Sequence, residues 1–353
     1  MFKNTKKILY MITAMLVLAL AVTGCGQSAQ DTPEKKQQLV ISTWGGASET
    51  GIREIAKAFA EENNVELIFD TGNNSDRLNK IRATKGNPQI DIALLSDTFA
   101  DIGNEEGLFD TIDVEKVPNL EKLYDFALEK DGYGPAYSVT RWGIVYDADE
   151  VEKAPTSWND LWDPAYKGKV AIPDMTSTAG PMFLITAAEL NGGDAYNTDP
   201  GFEKIKEMQE PKIYVGHSDV LNMFERKEIA MTVFMDIFVP GLQEAGLPIE
   251  WADAEEGSFA VFNTINITKG TKNKELAEKF VNFMLSEEAQ KKMSETLFEA
   301  PVNKETVVDE EIAKDMAYGP EKVDSLIIFD REHLNNMKNE WIEKWNKEIA
   351  TNQ

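Results

Sequence analysis

Leu39-Val40-Ile41-Ser42-Thr43-Trp44-Gly45-Gly46 decides how this 353-residue chain is read. The β-branched apolar run Leu39–Thr43 predicts a buried strand, and Trp44-Gly45-Gly46 predicts the turn that ends it. Helical spacing follows, with Ile52, Ile55, Ala56 and Phe59 on one face of Gly51–Glu62. Val65, Leu67 and Phe69 alternate as a second strand, Leu78 and Ile81 fall on a short helix, and Ile90–Leu95 is a third apolar strand. This alternation predicts a parallel sheet with crossover helices. The rhythm returns as strand Lys169–Ile172, helix Pro181–Leu190, strand Ile213–Val215, helix Asp219–Arg226 and strand Ala230–Phe234. The fold class is therefore α/β, in two successive units. Lys274–Leu285 and Glu332–Ile349 read as amphipathic helices. The stripe Leu334, Met337, Trp341, Trp345 and Ile349 reads as a packing face.

Composition narrows the function. The chain is 42% hydrophobic and 27% charged, which is globular, and its length predicts two domains. Its 61 acidic against 36 basic residues give a formal charge of −25, which repels phosphate backbones and argues against nucleic-acid binding. Cys25 is the single cysteine, so an intrachain disulfide and a thiolate metal cluster are excluded. His217 and His333 are the only histidines and lie far apart, which rules out a multi-histidine metal centre and disfavours a Ser-His-Asp or Cys-His machine. No metal and no cofactor is expected.

Lys3, Lys6 and Lys7 precede the apolar run Ile8–Val22, which has the layout of a secretory signal over residues 1–24. Val22-Thr23-Gly24-Cys25 resembles a bacterial lipobox, which implies a diacylglycerol on Cys25; a free cysteine behind an ordinary signal is the alternative. Residues 25–38 read as a polar tether. The expected location is outside the cytoplasm, anchored to the cell membrane by that lipid.

Ser157-Trp158-Asn159-Asp160-Leu161-Trp162-Asp163-Pro164-Ala165-Tyr166-Lys167-Gly168-Lys169-Val170 resembles a segment of the extracellular solute-binding proteins of ABC importers. The likeness is to the spermidine/putrescine-binding branch and its thiamine, ferric iron, phosphonate and opine relatives. Leu39–Gly46, Ile90-Asp91-Ile92-Ala93, Pro135–Asp147, Lys274–Leu285 and Ala300-Pro301-Val302-Asn303 are similar to further segments of that family, so the likeness covers Leu39 to Lys347. It implies a two-lobed periplasmic-binding-protein fold of type II, with lobe 1 at 39–136 plus 266–299 and lobe 2 at 137–265 plus 300–353. It also implies crossover strands, a ligand in the cleft and a permease that receives the loaded protein, which is expected to be a monomer.

In open parallel sheets ligands lie beyond the carboxyl ends of the strands. Trp44, Gly45 and Gly46 follow the first strand; the ring could stack on a cation and the glycines admit close approach, or they form a core residue and a turn. Ser96, Asp97 and Thr98 follow the third strand, with Asp97 a candidate ammonium partner or a helix cap. Asp174, Thr176, Ser177 and Thr178 precede a helix and could cradle a carboxylate or phosphonate, or simply cap it. Asp236 could join Asp97 in a clamp on an amine. Arg141 could grip an anion or hold an acid across the hinge. Asn263 and Asn266 could bridge ligand and lobe.

Trp44 and Asp174 match polyamine-site positions of the family, but Phe262-Asn263 stands where a Trp and an Asp are expected, and no second acid follows Asp174. These departures favour a ligand with an anionic end. The expected ligand is a small charged organic solute, an amine or an amine-bearing zwitterion, with a polyamine receptor proper as the alternative. A secreted hydrolase using Asp174 and Asp236 as acid and base, and a purely structural lipoprotein, are the other classes.

Overall fold

A computed structural model describes residues 36–129, 131–314 and 316–350. The expected signal segment 1–24, Cys25 and the expected tether up to residue 35 lie outside the described residues, while Gln37 and Gln38, placed in that tether by the sequence reading, open the first strand.

The strands are β1 (Gln37–Thr43), β2 (Val65–Thr71), β3 (Ile92–Ser96), β4 (Phe109–Asp110), β5 (Ala136–Asp147), β6 (Val170–Pro173), β7 (Lys212–Tyr214), β8 (Met231–Met235), β9 (Ile249–Ala252) and β10 (Phe259–Thr268). They form one sheet in the order β2-β1-β3-β10-β5-β8-β6-β7, with β4 on β10 and β9 on β5. β1 runs parallel to β3, and β6 runs parallel to both β7 and β8. The two long strands between them are antiparallel. β10 pairs with β3 from Asn263 to Ile267 and with β5 from Phe259 to Thr264, while β5 pairs with β8 from Trp142 to Tyr146. The chain thus crosses between the two parallel groups on β5 and returns on β10.

The helices that matter for the site are α1 (Ala47–Ile55), α2 (Asn74–Ala83), α3 (Asp97–Glu105), α4 (Ala179–Leu190), α5 (His217–Glu225), α6 (Lys274–Met284) and α7 (Arg331–Glu348). The helix expected over Gly51–Glu62 is split at Ala56, with a second piece at Lys57–Glu62. The helices after β6 and β7 begin two residues earlier than their apolar spacing predicts. Ala179-Gly180 are small and His217-Ser218 polar, so neither pair carries a periodic apolar signal and apolar spacing places both starts late.

Buried side chains gather on both sides of the crossing. Leu39, Ile41, Val139, Phe262, Phe280 and Met284 pack together, and Val302, Val308 and Val323 join them. Ile144, Val145, Ile172, Phe183, Met231 and Phe234 form the other large core, which takes Leu334, Trp341 and Trp345 of α7 and Ile349 just past its end. The apolar stripe of α7 is a packing face. Its polar residues reach the other way: Arg331 meets Asp101 at 2.9 Å, Glu129 at 3.0 Å and Asp97 at 3.8 Å, and Asn335 donates to the Thr98 carbonyl at 3.0 Å.

The Ser157–Val170 segment is structural. Ser157 and Asp160 form a capping box on the turn Trp158–Trp162. Trp158 is fully buried, donates from Nε1 to the Gly257 carbonyl at 2.8 Å and stacks on Phe259 at 5.7 Å. It anchors the turn that launches β10. Trp158→Ala is expected to lower unfolding free energy by about 3–5 kcal/mol, checked by urea denaturation.

Burial pushes Asp97 up to about 6 and Asp101 up to about 7, against the pull of Arg331. A carboxyl whose pKa is raised on folding binds its proton more tightly in the native state. The stability these two carboxyls contribute therefore falls as pH rises from about 4 to 7. Thermal unfolding is expected to come at least about 2 °C higher at the acid end of that window, and Asp101→Asn should flatten the difference.

Candidate functional site

A cavity of about 540 Å³ lies at the carboxyl ends of the parallel strands, where the two sides of the sheet meet. The chain turns into a helix at this cavity four times through three consecutive lining residues, and Ser96 adds the start of α3. Trp44-Gly45-Gly46 leads from β1 into α1, Gly72-Asn73-Asn74 from β2 into α2, Thr176-Ser177-Thr178 into α4, and Val215-Gly216-His217 from β7 into α5; all of these line it. The first N–H groups of a helix have no acceptor within it and carry the positive end of the helix dipole. Gly46 caps α1 at a φ of 68°, which β-carbon-bearing residues rarely adopt.

The remaining wall is largely apolar, from Trp142, Tyr214, Met235, Ile237, Phe238 and Val261. Tyr214 spends its hydroxyl on the Val233 carbonyl. His217 packs against Phe238, Phe234 and Trp142, with ring centroids at 5.0, 5.7 and 6.0 Å. This burial pushes it down to about 4, so it is neutral at physiological pH.

Arg77, fully buried on α2, sits behind the cavity. Nε donates to the Gly72 carbonyl at 2.9 Å, the terminal nitrogens donate to Asn74 Oδ1 at 2.8 Å and to the Ser42 and Leu94 carbonyls, and the guanidinium lies 4.6 Å from the Trp44 ring. These acceptors are neutral. Burial lowers its pKa to about 10, so the charge persists at neutral pH. Arg77 also orients Asn74, whose Nδ2 donates to Ser96 Oγ at 2.9 Å and to Thr178 Oγ1 at 3.4 Å; the two hydroxyls are 3.3 Å apart. Asn74 and Ser96 stand on the β1–β3 side and Thr178 heads α4, so this cluster spans the cleft.

The structure brings Trp44, Gly45, Gly46, Ser96, Thr176, Ser177, Thr178 and Asn263 to the cavity. The proposed amine clamp is not formed there. Asp236 is buried in an ion pair, accepting from Arg141 Nε at 2.9 Å and from its backbone N–H at 3.1 Å. Arg141 thereby takes its alternative role, holding an acid across the strands, with its guanidinium 4.5 Å from the Trp251 ring. Asp97 turns toward Arg331 and the Phe262 N–H, and Thr98 is buried beside it. Asp174 closes a local turn with the Thr176 N–H at 2.9 Å. Asp174 and Asp236 both lie off the cavity wall, so the acid–base pair of the hydrolase reading does not face a common space. Asn266 is buried within the sheet, donating to Ala93 and Thr264.

Sequence reading missed Gly72–Asp76, Val215–Ser218 and Glu299. The first two follow strands and obey the same end-of-strand rule that found Trp44. Glu299 arrives from a distant segment and gives no local signal.

A cleft between two α/β lobes, lined by helix starts, defines a receptor for a small molecule. The profile of the bacterial extracellular solute-binding proteins matches residues 54–320. The chain belongs to that family. It is 26% identical over 293 residues to the spermidine/putrescine-binding periplasmic protein of Escherichia coli (strain K12), covering 80% of this chain and 82% of that one. A protein of Salmonella typhimurium (strain LT2) that bears the provisional name 2-aminoethylphosphonate-binding periplasmic protein is 23% identical, with 72% and 74% covered. The 1.85 Å crystal structure of an ABC transporter from Clostridium perfringens ATCC 13124 is 39% identical, with a TM-score of 0.72 over 88% of this chain and 99% of that one. The protein is the substrate-binding component of an ABC transporter, with the two-lobed fold of periplasmic solute-binding proteins.

Arg77→Met is expected to strand three buried acceptors and one half-buried one and to lower stability by at least about 2–3 kcal/mol, checked by urea denaturation.

Proposed function

We propose that this protein captures a small organic solute with an anionic end and an amine, and delivers it unchanged to a membrane permease. The observation that carries this reading is the convergence of four helix N-termini on one cavity with the buried Arg77 guanidinium behind them. The positive ends of the helix dipoles and the fixed guanidinium charge suit a phosphonate, phosphate or carboxylate. The apolar wall suits a short carbon chain. A polyamine would bring several positive charges against this field, and the carboxylates expected to meet them, Asp97 and Asp236, are already bound to Arg331 and Arg141.

In this reading lobe 1 holds β1–β3 with 300–326, and lobe 2 holds β6–β8 with α7, an assignment that follows the packing of the buried residues. The lobes close on the solute, which excludes water and strengthens each charge-assisted hydrogen bond. No bond of the solute is made or broken. The mature protein is a monomer held at the outer face of the cytoplasmic membrane by a lipid on Cys25, and Cys25→Ser should release it to the medium.

Thermal-shift measurements with aminophosphonates, ω-amino acids and polyamines test the ligand class. A ligand at about 100-fold excess over its Kd adds about 2.7 kcal/mol to stability, a shift of several degrees. The shift is expected for anion-bearing members only. A response to spermidine and putrescine alone would sink this reading in favour of the polyamine one.

A further inference from the structure

We propose that Glu299 selects the amine of the solute, and that the ammonium group takes its place against this carboxylate as a proton leaves it for solvent. The inference rests on the reading of a solute with an anionic end and adds the residue that recognises its other end.

Glu299 borders the cavity and is only 4% exposed. Its Oε2 accepts from Ser138 Oγ on β5 and from Asn263 Nδ2 on β10, the latter at 3.3 Å. Among the described residues both side-chain partners are neutral. The other acids near the cleft differ. Asp76 lines the cavity but is exposed, accepting from Asn73 Nδ2 in the first turn of α2. Asp97 and Asp236 face Arg331 and Arg141 and lie off the cavity wall. Glu299 is thus a buried carboxyl on the wall without a cation of its own, and such a group holds either a proton or a counter-ion. Burial pushes it up to about 7, with the Asp236 carboxylate adding to the rise, the Ser138 and Asn263 hydrogen bonds opposing it, and the neutral Tyr137 phenol also close by, so near neutrality much of the population carries the proton. When an ammonium arrives, the carboxyl O–H bond breaks, its proton passes to buffer, and the carboxylate accepts a charge-assisted N–H···O hydrogen bond. Ser138 and Asn263 hold the acceptor in position on the two crossing strands.

The probes are 2-aminoethylphosphonate and ethylphosphonate, which differ by the amine. Calorimetry in two buffers of different ionisation enthalpy counts the protons released. The wild type is expected to prefer the amine-bearing probe by at least about tenfold. Proton release is expected below about pH 7, fading as pH rises further. Glu299→Gln keeps the shape and both hydrogen-bond partners. It should bind ethylphosphonate as the wild type does, lose the preference for the amine and release fewer protons with 2-aminoethylphosphonate than the wild type, the phosphonate's own second ionisation being common to both. Glu299→Asp, which keeps the charge, should retain part of the preference. The proposal is overturned if Glu299→Gln keeps the preference, or if a variant with unchanged thermal unfolding loses both probes equally. A wild type that binds both probes alike overturns the role of Glu299 and leaves the anion reading standing. A wild type that binds neither overturns both.

Discussion

The antiparallel ladder between β5 and β10 is the contact on which the molecule depends. β10 reaches one side through β3 and β5 reaches the other through β8, so the shared stretch from Ala136 to Trp142 against Phe259 to Thr264 is the seam between them. The ladder shifts register between Asn263 and Thr264. A bulge of this kind bends a strand and re-aims its side chains. Ser138, Asn263 and Glu299 meet beside it, and the buried Arg141–Asp236 pair ties β5 to the chain just after β8. Buried ion pairs add little net stability over an apolar alternative, yet breaking one is costly. Their effect here is to fix how the strands and the end of β8 sit, which fixes the cavity wall.

Net charge and local field are opposed. The chain is strongly acidic, at −25, while its cavity is ringed by helix starts and backed by a guanidinium bound only to neutral oxygens. Fixed dipoles at close range act through protein of low dielectric, whereas surface carboxylates are screened by water and salt. Acidity of the whole chain argues against a polyanionic partner and says nothing about a single small anion in an enclosed site.

Strand–helix alternation was legible because period-2 and period-3.6 patterns follow directly from burial. The Trp158 segment identified the family because its tryptophans and capping box are held by packing. The site was half legible. The rule that ligands gather at strand ends found Trp44, Gly46, Ser96 and Thr178, since it concerns backbone position. It also picked Asp97 and Asp236, which lie off the cavity wall, because a loop position does not give the direction of a side chain, and each acid turns toward an arginine from another element. Arg331 lies 234 positions beyond Asp97 and Arg141 lies 95 before Asp236, separations that leave no local trace. Glu299 was missed for the same reason.

The last helix carries a consequence for how occupancy reports affinity. α7 is rooted by Trp341 and Trp345 in one core, while its Arg331 grips Asp101 and Glu129 of the other side. In a receptor that closes on its cargo, ion pairs that join the two sides weigh on the balance between open and shut forms. The dissociation constant measured for any cargo is the intrinsic one divided by the fraction of molecules ready to accept it. Drift in the sequence of this helix, far from every atom that touches cargo, can then retune uptake while the recognition chemistry stays as it is.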